Sequence, residues 1–308
     1  MLMAAGPDGR VAAENAARGV VHLCPQCGAA VTLKRGPIVT AHFSHAPASE
    51  CAWASPESEQ HRGAKHALAA AFAARGLWIE LEAEILSSEG DRRADVLVHA
   101  PGNGGRVAIE VQHSALGIDA IERRTRAYAA AGVGVIWVGT LDLGQLAPRA
   151  LAGSRLLAVD RYAIPAWQRF AAQYHGVLWF WSDGAFWRGW IDDAWTAPGR
   201  SPRDRDDPWR TSRRWGALTL DGPFAPEALR IVRRANAVEP HERFSMPTGF
   251  AANFVLAHEG AQVSAPTTVG WHDHAGAVVP RLVALATLRA SSPARPRKTA
   301  PSIQRRAA

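Results

Sequence analysis

The sequence predicts an α/β protein whose central unit runs helix, three strands, helix, strand (αβββαβ). Three observations predict it: apolar residues at helical spacing before Gly76, period-two alternation through the stretch from Leu77 to Gln112, and a second helical run that stops at Gly132 before an apolar strand. A small module bearing cysteines and histidines precedes this core, and a tryptophan-rich region follows it. The chain divides accordingly at 1–54, 55–150, 151–288 and 289–308.

Ser55-Pro56 reads as N-cap and first residue of the opening helix. Ala64, Leu68, Ala71 and Phe72 keep one apolar face, and Gly76 closes the helix after Arg75. In the strand that follows, Leu77, Ile79, Leu81, Ala83 and Ile85 alternate with Trp78, Glu80, Glu82 and Glu84, which predicts one clean core face. In the next strand Ala94, Val96 and Val98 share a face, with Asp95 on the other. After the turn residues Pro101 to Gly105, Val107, Ile109 and Val111 oppose Glu110 and Gln112. Asp95, Glu110 and Gln112 are therefore expected to converge. Two acids and a third polar group at a sheet edge are what a divalent cation needs to activate water against a phosphodiester; the plainer alternative is a half-buried hairpin whose polar face meets solvent. The second helix carries Ile118, Ile121, Thr125, Tyr128 and Ala129 at helical spacing, and Val133 to Val138 forms the last strand.

This order, with Asp on the second strand and Glu-x-Gln on the third, resembles the core of the PD-(D/E)xK nuclease superfamily. The resemblance implies that Asp95 and Glu110 hold Mg²⁺ or Mn²⁺ and that the residue two after the Glu, usually Lys, orients or activates the attacking water. Here that position is Gln112. An amide can hold a water but brings no positive charge toward the transition state, so its role would be positional.

Upstream, Cys24-Pro25-Gln26-Cys27 is followed by His42-Phe43-Ser44-His45. Two thiolates on a tight turn and two imidazoles from a returning hairpin make a tetrahedral zinc site, with Cys24, Cys27, His42 and His45 as ligands. Cys51 can replace either histidine, because the gap between them is shorter than usual in finger helices. A pair of buried thiols beside two surface histidines is the alternative.

Taken in order, Cys24 to Cys27, Lys34-Arg35-Gly36, His42 to His45, Glu57-Ser-Glu59-Gln-His61 with Lys65, Arg93-Ala-Asp95-Val96, and Ile109-Glu110-Val111-Gln112 with Ser114 resemble the competence protein CoiA family over roughly residues 10 to 140. The resemblance implies a zinc-binding module ahead of a nuclease-like domain and a role in uptake and recombination of DNA. It carries Asp95, Glu110 and Gln112 over as the site and adds Glu59 as an assisting acid; an exposed acid favoured by the helix dipole is the other reading of Glu59. His61 and Lys65 are an i,i+4 pair that either packs or faces phosphate. Arg123, Arg124 and Arg126 suit a solvated face or a surface that contacts DNA backbone.

The three cysteines fit a reducing cytoplasm, and neither a signal peptide nor a spanning segment is expected. The net charge of +7 is concentrated at the end: residues 289–308 hold six basic side chains and no acid, leaving 29 basic and 28 acidic residues before them. That tail, rich in Ser, Pro, Ala and Arg, is expected to be disordered and to add weak attraction to DNA, or to stand uninvolved. Nine of the twelve tryptophans fall in 151–288, several in a hairpin turning at Asp183-Gly184. A Trp-rich core is the expectation there, a stacking platform for single-stranded DNA the alternative. Residues 197 to 214 read as a linker. The function expected is a cytoplasmic, Mg²⁺- or Mn²⁺-dependent nuclease acting on DNA with recombination proteins as partners and no membrane. The rival is a catalytically degenerate nuclease fold that binds DNA or a partner.

Overall fold

The computed structural model describes residues 1–258 except 56, 101–104, 176–177, 193–195, 199–208, 212–214 and 234–253. The basic tail, Pro56, most of the expected linker and most of the Pro101 to Gly105 turn lie outside the described residues.

Strands β1 (Met3–Gly6), β2 (Gly9–Ala12), β3 (His22–Leu23), β4 (Ala30–Lys34) and β5 (His42–Ser44) form a five-stranded antiparallel sheet in the order β2-β1-β3-β4-β5. Its small core gathers Ala4, Val31, Phe43 and Cys24. A short 3-10 helix, Ala52–Ala54, leads to α1 (Glu59–Ala74). The N-cap of α1 is Ser58, whose Oγ accepts the His61 N–H at 3.1 Å, and not Ser55. The 3-10 turn takes Ser55 as its own C-terminal flank, so the next capping residue starts the helix.

There follow β6 (Trp78–Ile85), β7 (Arg92–His99), β8 (Arg106–Gln112), α2 (Ile118–Ala130) and β9 (Val133–Thr140), the expected αβββαβ order. A four-residue helix α3 (Leu143–Leu146) and strand β10 (Arg149–Ala150) lead into β11 (Leu156–Ala163), α4 (Ala166–His175), β12 (Leu178–Ser182) and β13 (Ala185–Asp192). The short pair β14 (Thr196–Pro198) and β15 (Trp209–Thr211), then β16 (Trp215–Phe224) and the ribbon β17 (Leu229–Arg233) with β18 (Phe254–His258), complete the described elements.

One nine-stranded sheet runs β10-β11-β16-β13-β12-β9-β8-β7-β6. β8 and β9 pair in parallel, and β12 pairs in parallel with β9, so the tryptophan-rich region continues the sheet of the core. The boundary expected at 150/151 falls between two strands of that sheet. Three layers result. α1 and the β17–β18 ribbon cover one face through Leu68, Phe72, Leu229, Ile231, Phe254 and Leu256. α2 and α4 cover the other through Ile121, Tyr128, Trp167 and Phe170.

The hairpin turns at Asp183-Gly184, both with positive φ (50° and 82°), the geometry of a type I′ turn. Trp179 and Trp181 are buried within the core. Phe180 lies between Gly139 and Gly189, where an added Cβ would come within 2.6 and 2.4 Å of its ring. The glycines thus admit an aromatic ring against the sheet.

Two expectations about strand faces are corrected. β6 does not keep one core face: Leu77, Ile79 and Leu81 pack on the α1 side, whereas Ala83 and Ile85 pack on the α2 side. Glu82 has φ 52°, and this left-handed residue flips the alternation. On β7, Ala94 joins the α2-side core while Val96 and Val98 join the α1 side, so the break crosses both strands opposite one another. The site sits at this break.

Candidate functional site

Asp95 lies where β7 leaves β8. Their ladder ends at the Val96–Ile109 pair, and beyond it the Asp95 carboxylate accepts the Val111 N–H at 2.9 Å. A side chain thus takes the place of a backbone partner, and it fixes the carboxylate against β8. From α1, His61 Nε2 meets the same oxygen at 3.1 Å, and Lys65 Nζ lies 3.7 Å from the other oxygen. These two residues are one turn apart, which puts both on the face of α1 that meets the sheet.

Lys65 is fully buried and serves three acids. It donates to Glu57 at 2.8 and 3.0 Å and to Glu82 at 2.9 Å, with Asp95 beyond. Burial alone would lower its proton affinity; the charges of Glu82, Asp95 and Glu57 overcome that and hold it well above the ordinary lysine range. Burial opposes the charge on Asp95 too, yet Lys65 and His61 bring its pKa down to about 2. Glu57, His61 and Asp95 place one ligand atom each within 4.8 Å of one another.

Glu110 is buried on the α2 side. Tyr128 donates its hydroxyl to one carboxylate oxygen, and Arg124 lies 3.8 Å from the other. Burial and the nearby Asp95 charge raise its pKa to about 7, with Arg124 and Tyr128 pulling the other way. Gln112 donates its amide to the Ser114 carbonyl at 2.7 Å and receives Arg124 at 3.4 Å. The amide therefore ties down the loop after β8 and sits beside a guanidinium that is 40 % exposed.

Glu59 is not brought to this cluster. Its carboxylate accepts the Thr40 N–H at 2.7 Å, the Thr40 hydroxyl and Arg62 at 2.8 Å, so it joins α1 to the N-terminal sheet. The acid that α1's approach does bring to Asp95 is Glu57, just before the helix. Glu82 went unnoticed in the sequence because strict alternation assigns it to the polar face of β6; the signal was an acid directly across from Asp95. In the structure its carboxylate also accepts the Leu2 and Met3 N–H groups at 2.8 and 3.2 Å, which couples β1 to the Lys65 cluster.

In the N-terminal module the ligand atoms of Cys24, Cys27, His45 and Cys51 lie within 4.8 Å of one another, and this group could hold a metal such as zinc. Cys24 Sγ and Cys51 Sγ are 3.9 Å apart, and Cys27 Sγ and His45 Nε2 are 3.5 Å apart. Ligands at about 2.3 Å for sulfur and about 2.0 Å for nitrogen around a tetrahedral ion stand at such separations. His42 is not in the group; its Nδ1 is 2.8 Å from the Thr40 carbonyl. His42, on β5, and His45, just beyond it, are three apart and are not brought together; Cys51 is the fourth member of the group that could hold a metal. The same Cys51 caps the 3-10 helix, whose Trp53 carries the Arg93 guanidinium 4.3 Å above its ring; Arg93 in turn lies 3.7 Å from Glu57.

Among the described residues no helix is long and apolar enough to cross a membrane. Residues 10–54 match the family model described as competence protein CoiA, N-terminal domain, and residues 57–152 match competence protein CoiA, nuclease-like domain. No curated protein and no solved structure matches the chain.

Proposed function

We propose that this chain, a member of the competence protein CoiA family over residues 10–152, hydrolyses phosphodiester bonds in DNA at the cluster around Asp95, with a divalent cation. The observation that supports this reading most is the buried convergence of Asp95 with His61, Glu57 and Lys65 at the point where β7 and β8 separate, on a nuclease-like domain. Carboxylates confined at a strand break cost stability unless paired, and such clusters concentrate at functional sites.

In this proposal Asp95 is a ligand of Mg²⁺ or Mn²⁺, and Glu110, held on the α2 side by Tyr128 and Arg124, serves the same ion from beyond the group that Asp95 forms with His61 and Glu57. The site offers carboxylate oxygens, and one ligand atom each of Glu57, His61 and Asp95 lies within 4.8 Å of the others. Such a cation supplies acidification of water and neutralisation of phosphate charge. The chain's own residues do the rest. Val111 N–H fixes the Asp95 carboxylate in direction. Gln112 keeps the loop after β8 in place through its amide nitrogen, and in the proposal the second lone pair of its Oε1, beside Arg124, orients the attacking water. Arg124, half exposed beside Glu110 and Gln112, offers a guanidinium to a phosphate oxygen. It supplies from α2 the positive charge that Gln112 lacks. The zinc module, docked through Glu82, Glu59 and Trp53, braces α1 against the sheet.

Recombination-linked action on DNA, single strands included, and a cytoplasmic setting complete the proposal. Cleavage of single- and double-stranded DNA by the zinc-loaded full chain, in Mg²⁺, Mn²⁺ or chelator, tests it. Cutting that requires a cation and falls at least a hundredfold in Arg124→Ala or Glu110→Gln supports it; DNA binding without cutting under any cation would favour the binding-only nuclease fold.

A further inference from the structure

Resting on the reading of Asp95 as a cation ligand, the geometry points to Glu57, His61 and Asp95 as one cation site whose imidazole donor selects a first-row transition ion of the Mn²⁺ kind over Mg²⁺. His61 Nε2 and Asp95 Oδ2 are 3.1 Å apart, which is the separation of a hydrogen bond and equally that of two adjacent ligands at about 2.0–2.2 Å on one ion. Glu57 brings the third donor from the segment before α1. Each of these groups is shielded without being sealed, with side-chain exposures of 16 % for His61, 10 % for Glu57 and 9 % for Asp95.

Lys65 does not fill the site. It holds Glu57 and Glu82 from beneath; each Glu57 oxygen accepts it once and keeps a second lone pair, with the Arg93 guanidinium 3.7 Å and the Met1 amine 3.8 Å away. The ammonium therefore presets Glu57 and lies 3.7 Å from the Asp95 oxygen that His61 does not use. Glu110 stands outside this group, on the α2 side with Tyr128 and Arg124. One nitrogen with two carboxylates is a poor set for Mg²⁺, which keeps oxygen ligands and several waters, and a better one for ions that accept imidazole.

The test is Mn²⁺ binding by the full, zinc-loaded chain without DNA, followed by pulsed electron paramagnetic resonance. The expected result is one tightly bound Mn²⁺ with nitrogen modulation from a histidine, displaced by Mg²⁺ only at an excess of about tenfold or more. In His61→Gln the nitrogen modulation should vanish and the Mn²⁺ preference should shrink to near parity. In Glu57→Gln the affinity should fall while the nitrogen signal of the remaining bound ion persists. Wild-type protein labelled with ¹⁵N-histidine provides the same readout without substitution, because the modulation must change to that of ¹⁵N. No bound Mn²⁺, Mn²⁺ without nitrogen modulation, or modulation that survives in His61→Gln would overturn the inference. Cleavage of DNA without nitrogen modulation would overturn this inference alone, whereas nitrogen-ligated Mn²⁺ without cleavage would uphold it and remove the hydrolytic reading.

Discussion

Lys65 Nζ lies 2.9 Å from Glu82 Oε1, and neither side chain is exposed to solvent. Glu82 reaches this position only because its backbone is left-handed, a conformation that costs a non-glycine residue about 1–3 kcal/mol. The strain is offset by three partners at once: Lys65 and the Leu2 and Met3 N–H groups. One residue thus flips strand β6, anchors the N-terminal sheet and neutralises the lysine that stands beside Asp95.

Removing Lys65 should therefore be among the most damaging single changes in the core. Lys65→Met leaves Glu57, Glu82 and Asp95 without their shared cation and is expected to cost about 3–5 kcal/mol in denaturant unfolding. Adding Glu82→Gln to it should recover part of that loss, because one uncompensated buried charge has gone. Additive losses in the double variant would contradict the coupling.

The residues proposed to hold zinc are distinguishable by metal content. Purified protein should carry about one zinc per chain; Cys51→Ser should lose it and His42→Ala should keep it. Zinc retained in Cys51→Ser but lost in His42→Ala would reverse the assignment.

Phe180 should be the limit on glycine substitution in the central sheet. Gly189→Ala places a methyl group 2.4 Å from its ring and is expected to destabilise by about 1–3 kcal/mol. Phe180→Leu in the same chain should relieve part of the clash. A neutral Gly189→Ala in thermal unfolding would show that the ring has room to move.

His258 stacks on Phe224 at 4.3 Å, and burial, with Arg188 and Arg155 behind it, lowers its pKa against the opposing pull of Asp221. A histidine depressed in the folded state leaves stability unaffected above its unfolded pKa of about 6.5 and removes it as pH falls through the folded value. Stability from pH 7 to pH 5 should thus decline more in the wild type than in His258→Phe. Equal slopes would exclude this group as a source of acid sensitivity.

The order αβββαβ was legible because helix and strand periods are local properties of Ala64 to Phe72, Val107 to Val111 and Ile118 to Ala129. The placing of Val107, Ile109 and Val111 on one face of β8, opposite Glu110 and Gln112, is local in the same way. What alternation cannot carry is a break in alternation. The positive φ of Glu82 turns Ala83 and Ile85 to the face opposite the one alternation predicts, and Ala94, paired with Ala83, lies on that face with them. Likewise Cys51, not His42, stands with Cys24, Cys27 and His45 in the group that could hold a metal, and that choice depends on which side of β5 faces the two cysteines. That the tryptophan-rich region adds β12 in parallel to β9 is a long-range pairing with no local signature.

The central claim, that Asp95 serves a cation-dependent cleavage, is tested most directly by single-turnover cutting of a labelled DNA panel by zinc-loaded wild type and Asp95→Ala, each in Mn²⁺, Mg²⁺ and chelator. The account predicts cation-dependent products from the wild type and a loss of about a thousandfold or more in Asp95→Ala, with DNA binding retained. Cutting by Asp95→Ala at the wild-type rate, or DNA bound by the wild type and left whole in every cation, would contradict it.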